Sequence, residues 1–150
     1  MIIGIDPGFS GAIALYDPAT NWLEIHDMPV VKNPKGKMEL MHSAVLDILK
    51  EDNATVWMEQ VAARAGQGVS SMFRFGQGYG ALQMAVTANQ HVLRYVPPSK
   101  WKAHFGIGSD KDVSRGLAQT RFPKCADKFA RKKDDGRAEA SLIALYGSEQ

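Results

Sequence analysis

The chain has 150 residues, 45% of them hydrophobic and 23% charged, which is typical of a single globular domain and excludes disordered and collagen-like sequences. The single cysteine, Cys125, excludes a disulfide scaffold and predicts a structural thiol in a reducing compartment. No apolar run approaches the roughly 20 residues of a membrane span, and residues 1–6 do not resemble a signal peptide. We therefore expect residues 1–150 to form one cytoplasmic domain without a membrane partner.

Charge is unevenly distributed along the chain, although the formal net charge is only +2. Residues 1–88 hold 6 basic and 9 acidic side chains, residues 89–133 hold 11 and 3, and residues 134–150 hold 1 and 4. The central basic segment, flanked by acidic ends, predicts a surface that binds a polyanion next to a group of carboxylates. From charge alone, a solvated basic face is an equally good interpretation.

The first 50 residues predict a meander of strands followed by a helix. Residues 1–6, 11–16 and 22–28 are apolar or alternating runs bounded by Pro and Gly, which predicts three strands joined by tight connections. The segment 29–36 contains Pro, Asn and Gly and predicts a loop. Apolar residues then recur at helical spacing, which predicts a helix over residues 38–50.

The rest of the chain alternates between strands and helices. The short apolar run 55–58 predicts a buried strand that leads into Glu59, and residues 92–96 predict another strand that ends at a Pro pair. The remaining predicted segments are helices over 69–88, 110–120 and 134–146, the last ending at Gly147, and an irregular basic stretch over 123–133. A meander followed by such crossovers predicts an α/β fold, in which helices pack on a mixed sheet.

Four carboxylates occupy positions at the ends of apolar strands or on one helix face, where a buried charge destabilises the fold unless it serves a function. Asp6 and Glu59 each follow an apolar strand, so neighbouring strands would bring their side chains together at one edge of the sheet. Asp135 and Glu139 are four residues apart on the last predicted helix and therefore project from one face of it. By the same geometry, Asp134 is expected to point to solvent and to cap the helix.

Carboxylates that converge repel each other and raise one another's pKa unless a cation neutralises them. An all-oxygen set, without Cys or paired His at ligand spacing, favours Mg²⁺ over Zn²⁺, with Mn²⁺ as a substitute. Two such ions about 4 Å apart could activate water and stabilise the leaving oxygen in phosphoryl transfer. The alternative is that Asp6 caps the turn at residues 7–8 and that the acidic pair belongs only to a helix N-terminus.

Three acidic motifs of the chain resemble those of RuvC-type Holliday-junction resolvases. They are Gly4-Ile5-Asp6-Pro7-Gly8, Met58-Glu59-Gln60-Val61 and Asp135-Gly136-Arg137-Ala138-Glu139-Ala140. Segments 75–80, 97–102 and 106–111 are also similar to that family, so the resemblance covers nearly the whole chain. It implies an RNase H-like mixed sheet flanked by helices, a homodimer, and Mg²⁺-dependent nicking of two DNA strands at a four-way junction. The short length and plain C-terminus resemble bacteriophage members, which implies the cytoplasm of a bacterial host.

The resemblance also implies roles for individual residues. The metal ligands would be Asp6, Glu59, Asp135 and Glu139, and the basic residues that meet the scissile phosphates would be Lys102 and Lys111. The other expected DNA contacts are Phe73, Phe75, Lys100, Trp101 and Arg115. The family often spaces the two helical acids by three residues, which leaves Asp134 as a second candidate ligand. Ala62 and Ala63 replace the aromatic residues that cellular members place there, so stacking at the junction is assigned to Phe73 or Phe75.

Trp101 has two equally good interpretations, because it could stack on a nucleotide or plug the edge of the core. The hypothesis that follows from the whole sequence is a metal-dependent endodeoxyribonuclease that nicks branched DNA by two-metal phosphodiester hydrolysis. Two alternatives stay open. The chain could be a catalytically silent, structure-specific DNA-binding module, or an RNase H-type nuclease on RNA/DNA hybrids, because backbone contacts alone do not identify the sugar.

Overall fold

A computed structural model gives the fold, and it describes residues 1–50, 53–62 and 66–150. Within these residues the chain forms seven strands: β1 (Ile2–Asp6), β2 (Ala12–Asp17), β3 (Trp22–Asp27), β4 (Val30–Lys32), β5 (Met38–Leu40), β6 (Thr55–Glu59) and β7 (Val92–Val96). It also forms the helices α1 (His42–Ile48), α2 (Val69–Ala88), α3 (Pro98–His104), α4 (Lys111–Arg121) and α5 (Asp135–Ser148). Two short 3-10 helices, Pro123–Phe129 and Lys132–Asp134, connect α4 to α5. None of these helices has the length and apolar character needed to cross a lipid bilayer.

Five strands form one mixed sheet in the order β3-β2-β1-β6-β7, and β4 pairs with β5 in a separate hairpin. The first three strands are the predicted antiparallel meander, whereas β6 and β7 run parallel to β1. In the register of β1 and β6, Ile5 pairs with Met58. The residues that follow this pair are Asp6 and Glu59, so the two carboxylates are neighbours at one edge of the sheet.

Helices cover both faces of this sheet. Ile3 and Ile5 are fully buried on the face covered by α1 and α2. Gly4 points to the other face, where a Cβ atom at this position would lie 2.1 Å from the carbonyl oxygen of Ala140 in α5. The backbone of α5 therefore packs directly on the backbone of the central strand, and only glycine leaves room for this contact.

The segment between β3 and β6 differs from the prediction. Instead of a loop over 29–36 and a helix over 38–50, it forms the β4–β5 hairpin and a helix limited to α1. Asn33 holds the hairpin turn, because its Oδ1 accepts hydrogen bonds from the backbone N–H groups of Lys35 at 2.9 Å and Lys37 at 3.0 Å. The residues that predicted a loop therefore make a tight turn between two three-residue strands.

Predictions for the second half of the chain are confirmed for α2 and β7, whose bounds match 69–88 and 92–96. Helix α3 was not predicted, because the Pro pair was interpreted only as the end of a strand. Pro98 in fact occupies the first turn of α3, where proline is favoured since its missing N–H would have no partner there.

The end of the chain shows two further differences. The stretch 123–133, predicted to be irregular, contains the first 3-10 helix and the start of the second, and it is anchored by the fully buried Phe129. Gly147 was predicted to end the last helix, but α5 continues to Ser148. A Cβ atom at Gly147 would lie 2.2 Å from the indole of Trp57, so this glycine serves helix packing on the sheet.

Candidate active site

The carboxylates at the strand ends face α5. The preceding residues, Ile5 and Met58, are fully buried on the opposite face of the sheet, so alternation directs Asp6 and Glu59 to the α5 side. Glu59 is 9% exposed, and its Oε1 accepts a hydrogen bond of 3.1 Å from the indole Nε1–H of Trp101. The sheet therefore supplies two acids from two neighbouring strands to one face.

The first turn of α5 lies against the loop that follows β1. A Cβ atom at Gly136 would be 2.4 Å from the carbonyl oxygen of Ser10, so only glycine permits the contact. This contact brings the acidic turn of α5, with Asp135 and Glu139, to the strand ends. Glu139 is close enough to Asp6 for their charges to interact.

The pKa of Asp6 is raised from its ordinary value of 3.8 to about 7. Burial is the largest cause, and the negative charges of Glu139 and Glu59 add to it. The backbone N–H of Gly8, which donates to Asp6 Oδ1 at 3.3 Å, and the charge of Lys111 oppose this rise. Asp6, Glu59 and Glu139 thus form one electrostatically coupled group, which we call the acidic cluster.

Basic side chains of α3 and α4 contact the acids of α5. Lys102 Nζ lies 2.9 Å from Glu139 Oε1, and Lys111 Nζ lies 3.3 Å from Asp135 Oδ2. Arg115 Nη1 lies 2.6 Å from the other oxygen of Asp135. The structure therefore brings the two predicted phosphate-binding lysines next to the predicted metal-binding acids, and it places each lysine in an ion pair.

The donor atoms suit a hard divalent cation, although they are not gathered into a metal centre. Among residues 1–50, 53–62 and 66–150, no three His, Cys, Asp or Glu side chains are close enough together to hold an ion. Burial and the negative charges of Glu139 and Glu59 raise the pKa of Asp6, and carboxylates are ligands that Mg²⁺ and Mn²⁺ prefer. Metal binding by all four acids would require Asp135 and Glu139 to exchange their basic partners for the ion.

Asp134 lies apart from the acidic cluster. It is 2% exposed, and its carboxylate accepts hydrogen bonds from the backbone N–H of Arg131 at 2.9 Å and from Arg131 Nη2 at 2.8 Å. Arg137 Nη1 lies 3.5 Å away. The prediction that Asp134 points to solvent and caps α5 with its side chain is therefore wrong. Arg131, Asp134 and Arg137 form a separate unit, which we call the arginine clamp.

The side chains of two predicted DNA contacts are buried or paired within the protein. Trp101 is fully buried in the core beneath α5, so the prediction that it stacks on a nucleotide is wrong, and its other interpretation as part of the core describes its position. Arg115 has a side chain only 13% exposed and donates to both Asp135 and Asp112. Lys100, by contrast, is exposed on α3.

The two phenylalanines proposed to stack at a junction differ in exposure. Phe73 is 66% exposed on α2. Phe75 is half-buried and stacks on Tyr79, with ring centroids 6.4 Å apart. Ala62 is exposed, whereas Ala63 lies outside the described residues. Of the two rings, that of Phe73 is the more accessible to a base.

Sequence reasoning missed two partners of the acids. Arg131 stands three residues before Asp134, which is the spacing of a capping box and could have served as a signal. The hydrogen bond between Trp101 and Glu59 joins residues 42 positions apart, so it cannot be predicted from the local sequence.

Neither a protein-family description nor a curated protein sequence matches the chain. The structure of RuvC from Thermus thermophilus is similar at a TM-score of 0.61 and 16% identity, over 99% of this chain and 95% of that one. T. thermophilus RuvC in complex with a Holliday junction substrate gives 0.60 and 16% over 98% and 92%. The yeast mitochondrial Holliday junction resolvase Ydc2 gives 0.52 and 18% over 97% and 76%. At these identities the likeness establishes the fold, and the prediction of an RNase H-like mixed sheet flanked by helices, as in RuvC, is confirmed.

Proposed function

We propose that the chain is a divalent-metal-dependent endodeoxyribonuclease that nicks branched DNA such as four-way junctions. The observation that carries this proposal is the acidic cluster, in which acids from β1, β6 and α5 lie within range of each other's charges at one edge of a RuvC-like sheet. Lys102 and Lys111 lie beside these acids, which suits a substrate with negatively charged phosphates. One of the similar structures is RuvC bound to a Holliday junction substrate.

The residues that would hold the metal are Asp6, Glu59, Asp135 and Glu139. Mg²⁺ is the expected ion and Mn²⁺ a substitute, because all the ligand atoms are carboxylate oxygens. When bound, such ions lower the pKa of water and stabilise the charge that develops on phosphate oxygens, with two ions as the proposed arrangement. Hydrolysis breaks the bond between phosphorus and the 3′ oxygen, so the products are a 5′-phosphate and a 3′-hydroxyl.

Within this proposal the basic residues have two successive partners. Lys102 and Lys111 pair with Glu139 and Asp135 in the free protein. A DNA phosphate would offer each ammonium group a new anion, while the released carboxylates would become available to the metal. Metal and DNA are therefore expected to bind cooperatively, because each one takes over one member of the same ion pairs.

We also propose that the chain acts as a homodimer, as its motif resemblance implies, and that it is a bacteriophage-like member of the resolvase group. The outward face of α2 supports the dimer, because Val69, Phe73 and Met84 are exposed there. Gly76 and Gly80 lie on the same stripe, with open space around their Cα atoms. Light scattering of the purified chain should give twice the mass of 16.4 kDa, and Met84→Glu should reduce it. A monomeric mass at micromolar concentration would contradict the dimer.

The decisive experiment compares labelled four-way, flap, linear duplex and RNA/DNA hybrid substrates, each with Mg²⁺ or with chelator. We expect Mg²⁺-dependent nicks in the branched DNA, and none with Asp6→Asn or Glu59→Gln. Asp127→Asn is the matched control, because Asp127 is an exposed carboxylate that forms a long ion pair of 3.9 Å with Lys128. Cleavage of the hybrid alone would favour an RNase H-type enzyme, and binding without any cleavage would favour a silent DNA-binding module.

A further inference from the structure

Trp101 is a buried indole with its polar atom directed at the acidic cluster. The side chain is fully buried and is among the largest fully buried ones in the described part of the chain. Its Nε1–H donates to Glu59 Oε1 at 3.1 Å, and this hydrogen bond is itself buried. Since the indole N–H is the single polar group of this side chain, Glu59 satisfies its whole hydrogen-bonding capacity.

Lys102 extends this arrangement to a second acid. Its Nζ lies 5.0 Å from the centroid of the Trp101 ring and 2.9 Å from Glu139 Oε1. Two consecutive residues of α3 therefore contact two acids that come from β6 and α5. The short helix links the acids of the sheet to those of the helix above it.

The two contacts differ in what they do to the acids. An ammonium group neutralises the carboxylate that it contacts, and it competes with a metal ion for the same oxygen atoms. An indole N–H carries no charge and only donates, so it fixes the direction of a carboxylate and leaves its negative charge in place. Orienting donors of this kind hold a ligand in the geometry that an ion needs.

We propose that Trp101 is a positioning residue that holds the Glu59 carboxylate in the orientation required for a divalent cation at the acidic cluster. This inference rests on the proposed function in that it takes Glu59 to be a metal ligand. It adds Trp101 to the carboxylates and lysines of the proposed site. It also means that α3 orients a metal ligand in addition to supplying basic side chains. Loss of such an orienting hydrogen bond is expected to weaken metal affinity by about 10- to 100-fold.

The first test reads the hydrogen bond directly, without any activity measurement. The chain contains three tryptophans, Trp22, Trp57 and Trp101, so the ¹H–¹⁵N spectrum of the protein holds three indole signals. Substitution of each by Phe assigns them. We expect the Trp101 signal to exchange slowly with solvent, to move in Glu59→Gln, and to move again when Mg²⁺ is added to the wild-type protein.

The second test measures Mg²⁺ and Mn²⁺ affinity by calorimetry in the absence of DNA. Trp101→Phe keeps an aromatic ring in the core and removes the donor, so it should weaken binding by about 10- to 100-fold. Trp22→Phe is the matched control, because Trp22 is 45% exposed on β3, and its affinity should equal that of the wild type. In a Glu59→Gln background, Trp101→Phe should cause little further loss.

A folded Trp101→Phe protein that binds metal like the wild type would overturn the inference, and so would a Trp101 signal that is unmoved in Glu59→Gln. If Trp101→Phe does not fold, the spectrum of Glu59→Gln decides. A separate result, the absence of nicks in branched DNA with the wild-type protein, would contradict the proposed function. Nicking by Trp101→Phe with an unchanged Mg²⁺ requirement would leave the proposed function standing and overturn the inference alone.

Discussion

Asp6 in the acidic cluster and Asp134 in the arginine clamp are both shielded carboxylates, but their pKa values move in opposite directions. Burial raises the pKa of Asp6 to about 7, with help from Glu139 and Glu59. Hydrogen bonds from Arg131 lower the pKa of Asp134, although burial opposes them. The two sites differ in their partners, since the clamp surrounds its carboxylate with guanidinium groups and the cluster surrounds its carboxylate with like charge.

This contrast supports the proposal that Asp134 is a structural carboxylate and Asp6 a functional one. A buried acid that is matched by arginines of its own chain helps to hold the fold together. An acid placed among other acids makes the folded state less stable until a cation arrives from outside, which is typical of a site kept for chemistry. Asp134 and Asp135 are adjacent in sequence but have different partners, since Asp134 pairs with Arg131 and Asp135 pairs with Lys111 and Arg115.

The largest expected effect is the loss of nicking activity when the carboxylate of Asp6 is removed. Asp6→Asn should reduce nicking of a four-way junction below detection, a loss of on the order of 10³-fold or more, which is the size of effect that one electrostatic group in a site can have. Binding of branched DNA should persist, because the substitution removes a negative charge near the phosphates. Gel-based rates and fluorescence anisotropy measure the two quantities. Asp134→Asn, assayed under conditions in which it is folded, should keep most of the wild-type nicking rate. An equal loss of rate in both variants would contradict the distinction between the two aspartates.

The opposite pKa shifts also predict the pH dependence of stability. Without metal, the folded protein holds the Asp6 proton up to a pKa of about 7, whereas the unfolded chain releases it near 3.8. The free energy of unfolding should therefore fall as the pH rises from about 5 to 7, by at most about 1.4 kcal/mol per pH unit. Below about pH 4 the sign reverses, because Asp134 and Asp27, whose pKa values are lowered, then take up protons that the folded state disfavours.

Urea denaturation in EDTA at several pH values measures this profile. Asp6→Asn should flatten the limb between about pH 5 and 7 and leave the acid limb in place. An unchanged slope in that variant would show that another group is responsible for it.

A smaller effect is expected from the clamp. Asp134→Asn keeps the shape of the side chain but loses its charge-assisted hydrogen bonds, so it should lower the free energy of unfolding by about 1–3 kcal/mol. Urea denaturation at pH 7 measures it. Asp127→Asn, an exposed control, should stay within about 0.5 kcal/mol of the wild type. If Asp134→Asn is as stable as this control, the arginine clamp does not stabilise the fold and Asp134 is not a structural carboxylate.

The smallest effect concerns Asp135, which stands between the two cases because Lys111 and Arg115 share it. Arg115→Gln removes a competitor for its oxygen atoms and should tighten Mg²⁺ binding by roughly two- to fivefold, the equivalent of one weak ion pair. Calorimetry measures the affinity. Arg121→Gln is the control, since Arg121 lies at the other end of α4 and pairs with Glu149 at 3.3 Å. Weaker binding in Arg115→Gln would mean that the arginine organises Asp135 for the metal.

Local pattern was enough to predict several parts of this molecule. Apolar runs that end in a carboxylate predicted where Asp6 and Glu59 would lie on the sheet, and helical spacing paired Asp135 with Glu139. The same kind of signal gave the bounds of α2 and β7. Each of these features depends on residues that are close in sequence or on the strict alternation of a strand.

Two of the features that were missed depend on contacts between residues far apart in sequence, and the third, the orientation of Asp134, depends on a residue three positions away. Gly147 has the identity of a helix terminator, but it lies inside α5, where the indole of Trp57 beneath it leaves no room for a side chain. Trp101 was equally consistent with a surface or a core position, because burial is decided by how α3 sits under α5. The orientation of Asp134 is decided by Arg131, which lies just before the 3-10 helix Lys132–Asp134 and donates to the Asp134 carboxylate.

The backbone contacts of α5 at Gly4 and Gly136 set the spacing between helix and sheet without any intervening side chain. Such a spacing does not change when neighbouring core residues are exchanged for larger or smaller ones, because no side-chain volume enters it. Substitutions among the surrounding core residues are therefore expected to leave the separation between the acids of the sheet and those of the helix unchanged. In this chain the width of the edge that carries the acids depends on backbone contacts at two glycines.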